Sequence, residues 1–238
     1  MRQRSAPTRT RHSTVTRAPD GRRVTVAAVA SAPPDDWFWS LRITGPAASA
    51  GVTVGRAGYA ALRSADFPVA AESLTYRGEA LVLRTGGPPL DRRWCAALAG
   101  PYRDLMVAGT GPAPRLADVV SLLDEVRPRQ FLDALVLDPL PGVRLWGLCG
   151  RCYVPGVGTL TTYPRDEAAG LVPAVAGKPV SGGRLWYTDA GFAPGGGGYF
   201  LHAAETAVTM VRDERGVEPD ASDAAVADLL DSLHVEWS

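Results

Sequence analysis

Apolar and polar residues alternate along much of this chain, and the period of the alternation changes near residue 90. Between 21 and 90 it is close to two, the period of a strand with one buried face. "RRVTVAAVAS" (22–31) is a β-branched run, "DWFWSLRITG" (36–45) alternates, and "GVTVG" (51–55) is short. "SLTYRGEALVLRTGG" (73–87) predicts a hairpin turning at Arg77-Gly78. Pro33-Pro34, Gly45-Pro46 and Gly86-Gly87-Pro88-Pro89 separate these runs, the last being the clearest internal boundary.

Beyond 91 the pattern lengthens. "DRRWCAALAG" (91–100), with Asp91 as N-cap, and "PYRDLMVAG" (101–109), with Pro101 in its first turn, predict two short helices. "PRLADVVSLLDEVR" (114–127) gives the strongest helical signal: Leu116, Val119, Val120, Leu123 and Val126 form one apolar stripe, ended by Pro128. "RQFLDALVL" (129–137) fits a short helix or a strand. Strand patterns return in "GVRLWGLCGRCYV", "GTLTTYP", "GRLWYTDA", "GGYFLHAAET" and "AVTMVRDE". "SDAAVADLLDSLHV" (222–235) predicts a closing amphipathic helix with Ala225, Leu229 and Leu233 on one face. The expected class is α+β: a mostly antiparallel sheet, three to four helices and a C-terminal amphipathic helix. The expected organisation is a disordered basic tail (1–23), a β-rich segment (24–90) and an α+β domain (91–238), the last two packing together or apart.

Composition adds bounds. The chain is 46% hydrophobic, enough for a sizeable core. It has no run of twenty apolar residues and no basic-then-apolar leader pattern, so no membrane association and a cytoplasmic location are expected. Lysine occurs once (Lys178) against 24 arginines, and asparagine never occurs. That bias is what GC-rich codons encode, as in a high-GC, actinobacterial-type genome. The lack of asparagine excludes a Cys-His-Asn triad.

The net charge of zero hides an asymmetry. Residues 1–23 hold seven arginines and one acid, while acids crowd the end from Asp213 to Glu236. The tail offers phosphate contacts to a nucleic acid but no base-reading groups. An acidic body suits a protein partner with a basic surface.

Candidate chemistry centres on Cys149-Gly-Arg-Cys152. A zinc site drawn from Cys149, Cys152 and His202, with Cys95 as a fourth ligand, has no second motif spacing. A thioredoxin-like pair wants a helix after the motif; here "YVPGVGTLTTYP" follows. On a strand the two cysteines face opposite sides, unless Gly150-Arg151 forms a turn that brings them together. A thiol nucleophile, Cys149 or Cys95, would need His202 as its base, with Asp189 or Glu205 to orient it. "PGGGGYF" (194–200) is a glycine-rich entry to a strand rather than a phosphate loop, because no helix and no Gly-Lys-Ser/Thr follows. Trp37 and Trp39 share one strand face, which makes them either a binding platform or core.

The order of elements "PYRDLMVAGTG" (101–111), "PGVRLWGL" (141–148), "RLWYTDAGFAPGGGGYFLHAAETAVTMVRDE" (184–214) and "AVADLLDSL" (225–233) resembles the SUKH superfamily of bacterial immunity proteins. It departs from that pattern in the inserted 114–127 helix, and residues 1–90 lie outside the likeness. The resemblance implies a non-enzymatic protein that neutralises a toxin partner, with no cofactor. It carries over no site residues. The expected function is therefore macromolecule binding, protein partner first, with Trp37 and Trp39 as binding candidates. The alternative is a thiol- or zinc-dependent hydrolase or transferase using Cys149, Cys152 and His202.

Overall fold

A computed structural model describes residues 9–46, 49–63, 66–87, 92–155, 157–188, 198–212 and 224–238. About 55% of the described residues are strand and 15% helical, and every pair of described strands with a defined register is antiparallel. The expected α+β class is thus corrected to a mostly antiparallel β protein, with four short helices among the described residues. The chain divides into two compact units. One holds Arg17–Arg22 and Phe38–Cys149, the other Met1–Thr16, Arg23–Trp37 and Gly150–Ser238.

In the Phe38–Cys149 unit, β3 (Phe38–Thr44), β4 (Ser49–Arg56), β5 (Val69–Tyr76), β6 (Glu79–Gly86), β7 (Arg93–Ala99) and β8 (Arg103–Thr110) lie in the order β3-β4-β8-β7-β6-β5. The β5–β6 hairpin turns where the sequence placed it. Arg77 (φ 52°) and Gly78 (φ 88°) both take the left-handed conformation of a tight two-residue turn. Two apolar rows cross this sheet by register: Leu81–Leu98–Leu105–Val54–Trp39 and Leu83–Ala96–Val107–Val52–Leu41. All ten are buried.

The two helices expected over 91–100 and 101–109 are the strands β7 and β8. Their central residues, Cys95 to Leu98 and Asp104 to Val107, are buried on both faces. A strand covered on both faces loses its alternation and reads as a continuous apolar run, and Ala, Leu and Met supply helical propensity that tertiary packing overrides. The Asp91 cap lies outside the described residues. On one face Phe67, Cys95, Ala97 and Met106 cluster beneath Tyr59 and Ala60, the first two residues of α1 (Tyr59–Arg63).

The 114–127 helix is present as α2 (Leu116–Val126), with the Arg115–Asp118 ion pair at its start and Arg127 (φ 42°) at its end. Leu122 rather than Val120 completes its buried face. Pro128 then opens a two-stranded ribbon, β9 (Pro128–Gln130) and β10 (Leu135–Leu137). The next strand, β11 (Arg144–Val154), gives its first six residues to this unit and its last five to the other.

In the other unit, β12 (Gly158–Pro164), β13 (Lys178–Val180), β14 (Gly183–Thr188), β15 (Tyr199–Ala203) and β16 (Ala207–Arg212) form the order β13-β14-β15-β16-β12-β11. Helix α3 (Arg165–Ala168) follows β12. A second, three-stranded sheet has the order β1 (Thr10–Arg17), β2 (Arg23–Ala30), β17 (His234–Trp237). Residues 1–23 are expected to be a disordered basic tail, yet Thr10–Arg17 is a strand. It is polar because it is an edge strand whose one buried residue is Thr16. The closing helix α4 (Ala224–Ser232) is shorter than expected, and its last expected turn is β17. There His234 and Glu236 face solvent while Val235 and Trp237 are buried, the period of a strand. No helix among the described residues is long and apolar enough to cross a membrane.

Candidate functional site

Strand register places each sequence-derived candidate. Partners directly opposite one another share a face of the sheet, so two parallel rows can be traced across β14, β15, β16, β12 and β11. One runs Leu185–His202–Thr209–Thr162–Gly150, the other Tyr187–Phe200–Val211–Leu160–Cys152. His202 and Cys152 therefore face the same side. They stand three strand spacings apart, about 14 Å at ~4.8 Å per spacing. That is too far for a Cys–His dyad or for shared ligation of one zinc, which holds its ligands at roughly 2.0–2.3 Å.

Cys149 does not close the gap. Gly150 and Arg151 are strand residues paired with Thr162 and Thr161, so the turn that would join Cys149 to Cys152 does not form. All three cysteines are buried and none is in a disulfide. Burial, with a smaller contribution from the Asp35 carboxylate, pushes the Cys152 thiol up to about 12. Burial likewise raises the Cys95 thiol. Neither is a thiolate near neutral pH, and the thiolate is the nucleophile. Glu205 is exposed, and Asp189 lies outside the described residues. Among those residues no three His, Cys, Asp or Glu side chains are placed to hold one metal ion.

The polar row is nonetheless unusual. His202, Thr162 and Thr209 are each 0% exposed. The Thr209 hydroxyl donates to Thr162 Oγ1 at 3.1 Å, and the Trp237 indole N–H donates to the same oxygen at 3.2 Å. The Trp237 backbone N–H donates to Thr206 Oγ1 at 2.9 Å, fixing β17 over the row. His202 has no hydrogen-bond partner on either ring nitrogen among the described residues. Burial, helped by nearby His234, holds it down to about 4, so it is neutral at pH 7. The space beside it is closed: a Cβ on Gly182 would sit 3.3 Å from the ring and 2.4 Å from the Leu233 carbonyl. The three side chains form a buried polar core.

Trp37 and Trp39 are 5% and 4% exposed. Trp39 ends the apolar row Leu81–Leu98–Leu105–Val54, which makes it a core residue rather than a platform. Of "PGGGGYF", residues 194–197 lie outside the described residues.

The exposed chemistry lies elsewhere, on the β9–β10 ribbon. Phe131 N–H donates to the Ala134 carbonyl at 2.8 Å, closing a tight turn whose tip is Leu132-Asp133. Leu132 is 80% exposed. The Arg17 and Arg129 guanidiniums lie 5.9 and 5.8 Å from the Phe131 ring centroid, within cation–π range. Arg103 Nη2 donates to the Asp133 carbonyl at 3.1 Å. The ribbon is anchored by Gln130, whose amide donates to the Arg103 carbonyl at 2.7 Å and accepts the Arg103 N–H at 3.2 Å. Gly100 permits that approach, because a Cβ there would overlap the Gln130 amide. A smaller pairing of the same kind sets Arg42 5.4 Å from the ring of exposed Trp146, whose indole N–H donates to Thr44 Oγ1.

Comparison with protein-family models, curated proteins and solved structures finds no match.

The ribbon was missed in the sequence because Phe131 and Leu132 count as core residues in any periodicity reading. The available signal was "RPRQF", arginines interleaved with an aromatic just after a helix stop. The basic partner was expected from the acidic body; of its acids from Asp213 to Glu236, those from Asp213 to Asp223 lie outside the described residues. The unit made of Arg17–Arg22 and Phe38–Cys149 carries 14 arginines against 11 acids.

Proposed function

We propose that this chain acts by binding another protein, and that the β9–β10 ribbon is its contact surface. The observation that carries the reading is the solvated Phe131–Leu132 tip, held in place by Gln130 and flanked by Arg17, Arg103 and Arg129. Exposed apolar groups on a fixed turn cost solvation without a partner. Arginines stacked on an aromatic are already ordered, which lowers the entropy lost on association, and aromatic and arginine anchors dominate binding energy at interfaces. The fitting partner presents an apolar pocket rimmed by carboxylates.

An immunity-type role, in which the partner is a toxin held inactive, is the concrete form that the sequence resemblance supports. Three buried cysteines outside any disulfide suit a reducing compartment such as the cytoplasm. The test is affinity capture from host lysate with wild-type chain, Leu132→Asp and Phe131→Ala as parallel baits. A stoichiometric partner kept by wild type and lost by both variants supports the proposal. Equal capture by all three removes the ribbon from it.

A further inference from the structure

Strand β5 is the edge of its sheet, paired on one side with β6 and on the other with no described strand. The hairpin turn fixes which way its backbone groups point. In a two-residue hairpin the flanking pair, here Tyr76 and Glu79, exchanges both main-chain hydrogen bonds. Alternation then turns the N–H and C=O of Leu74 and Glu72 toward β6, and those of Thr75 and Ser73 outward. Carried across β6 and β7, the same alternation requires a bond between Arg92 and Gly111. That bond is observed, from the Gly111 N–H to the Arg92 carbonyl at 2.8 Å.

The edge is also apolar at one position. Leu74 extends the buried row Leu81–Leu98–Leu105–Val54–Trp39 by one residue. It is 37% exposed, against 1% for Leu81. Glu72, Ser73 and Thr75 are exposed as well. Sheets commonly blunt such an edge with charge, proline or a bulge. β13, the edge strand of the other unit, carries Pro179 within its three residues. β5 has a register shift between Ala70 and Glu72, which interrupts the edge there and leaves Glu72–Tyr76 in regular pairing with β6.

We propose that β5 pairs antiparallel with β5 of a second copy of this chain, across a twofold axis at Leu74. In that register Ser73 stands opposite Thr75 of the second copy, and Thr75 opposite its Ser73, so the outward groups bond to one another. Leu74 meets Leu74 in a non-hydrogen-bonded pair, whose side chains lie closer, and the apolar rows of the two copies join. Glu72 stands opposite Tyr76, so no like charges oppose each other. Moving the axis to Ser73 sets Leu74 against Glu72, and moving it to Glu72 sets two carboxylates together. Moving it to Thr75 sets Ser73 against Arg77 of the hairpin turn. The twofold closes, so neither β5 edge stays open for further addition. The pairing uses none of the residues of the β9–β10 ribbon.

Sedimentation equilibrium of the full chain tests the pairing. The wild-type mass is expected to rise with concentration from one chain to two. Leu74→Lys puts two ammonium groups on the axis and is expected to stay at one chain. Ser73→Pro removes an outward N–H that β6 does not use. It is expected to stay at one chain too, and it decides the matter if Leu74→Lys does not fold. Leu132→Asp is expected to dimerise as wild type does. Oxidative cross-linking reads the register. Leu74→Cys sets two cysteines on the axis with Cα atoms about 4.5 Å apart, within the disulfide range of ~4.4–6.8 Å. Ser73→Cys sets them on a diagonal of about 7–8 Å, so only Leu74→Cys is expected to cross-link. A wild-type mass of one chain up to the solubility limit, dimers of Leu74→Lys or Ser73→Pro, loss of the dimer in Leu132→Asp, or equal cross-linking by the two cysteine variants would each overturn the pairing.

Discussion

Two rows of side chains cross this protein by the same antiparallel geometry and do opposite things. Leu81–Leu98–Leu105–Val54–Trp39 in one unit is apolar throughout. Leu185–His202–Thr209–Thr162–Gly150 in the other places three polar side chains in succession at full burial. The first row stabilises simply by leaving water, about 25 cal/mol per Å² of apolar surface. The second must satisfy its donors and acceptors internally, and it succeeds at Thr162 and Thr209 but not at His202. Register alone therefore does not reveal what a row contributes; the chemistry of its members decides.

The comparison breaks most severely in the apolar row. Leu105→Ala is expected to cost about 3 kcal/mol through lost transfer energy and a cavity that β7 and β4 cannot close. Chemical denaturation measures it; a loss below about 1 kcal/mol would mean the row is loosely packed. Acid should act on the polar row to a similar extent. The His202 ring is held to about 4 in the fold, against roughly 6.5 when unfolded. The unfolded chain then takes up the proton first as pH falls. Stability is lost between about pH 6.5 and pH 4, on the order of 3 kcal/mol in all. His202→Leu should flatten that slope and leave stability at pH 7 unchanged or raised, since it removes two unpartnered nitrogens.

Thr162→Val is the next step down. It leaves the Trp237 indole N–H and the Thr209 hydroxyl without their acceptor, at a cost of about 2 kcal/mol. Adding Thr209→Val should cost less than its own single effect, because the orphaned hydroxyl goes with it. A strictly additive double variant contradicts the shared-acceptor geometry. Leu132→Asp should change stability least, within about 0.5 kcal/mol, as thermal unfolding would show. It is the variant that separates binding from folding.

The two rows also explain what could be read in advance. The β5–β6 turn was legible because Arg77-Gly78 is a local signal, and α2 because one face of it is dry and the other wet. Strands β7 and β8 were not legible as strands, since burial on both faces erases the period that distinguishes them from helices. β1 was hidden for the opposite reason: as an edge strand it is nearly all polar. The candidate residues fared according to their neighbours. Cys149, Cys152 and His202 are the residue types of a catalytic site, but only cross-strand register reveals that they point apart or stand too far apart. For Trp37 and Trp39 the alternation put both on one strand face but left platform and core both open. The ribbon carrying Phe131 and Leu132 went unnoticed because an exposed apolar residue is indistinguishable from a buried one in sequence.

The claim that matters most is that the ribbon is where this chain meets its partner. Hydrogen exchange, followed by mass spectrometry on the chain alone and with the captured partner, tests it residue by residue. Protection concentrated on 128–134, together with the backbone around Arg17 and Arg103, is the predicted result. Protection elsewhere with 128–134 unchanged would contradict it and place the contact on another face.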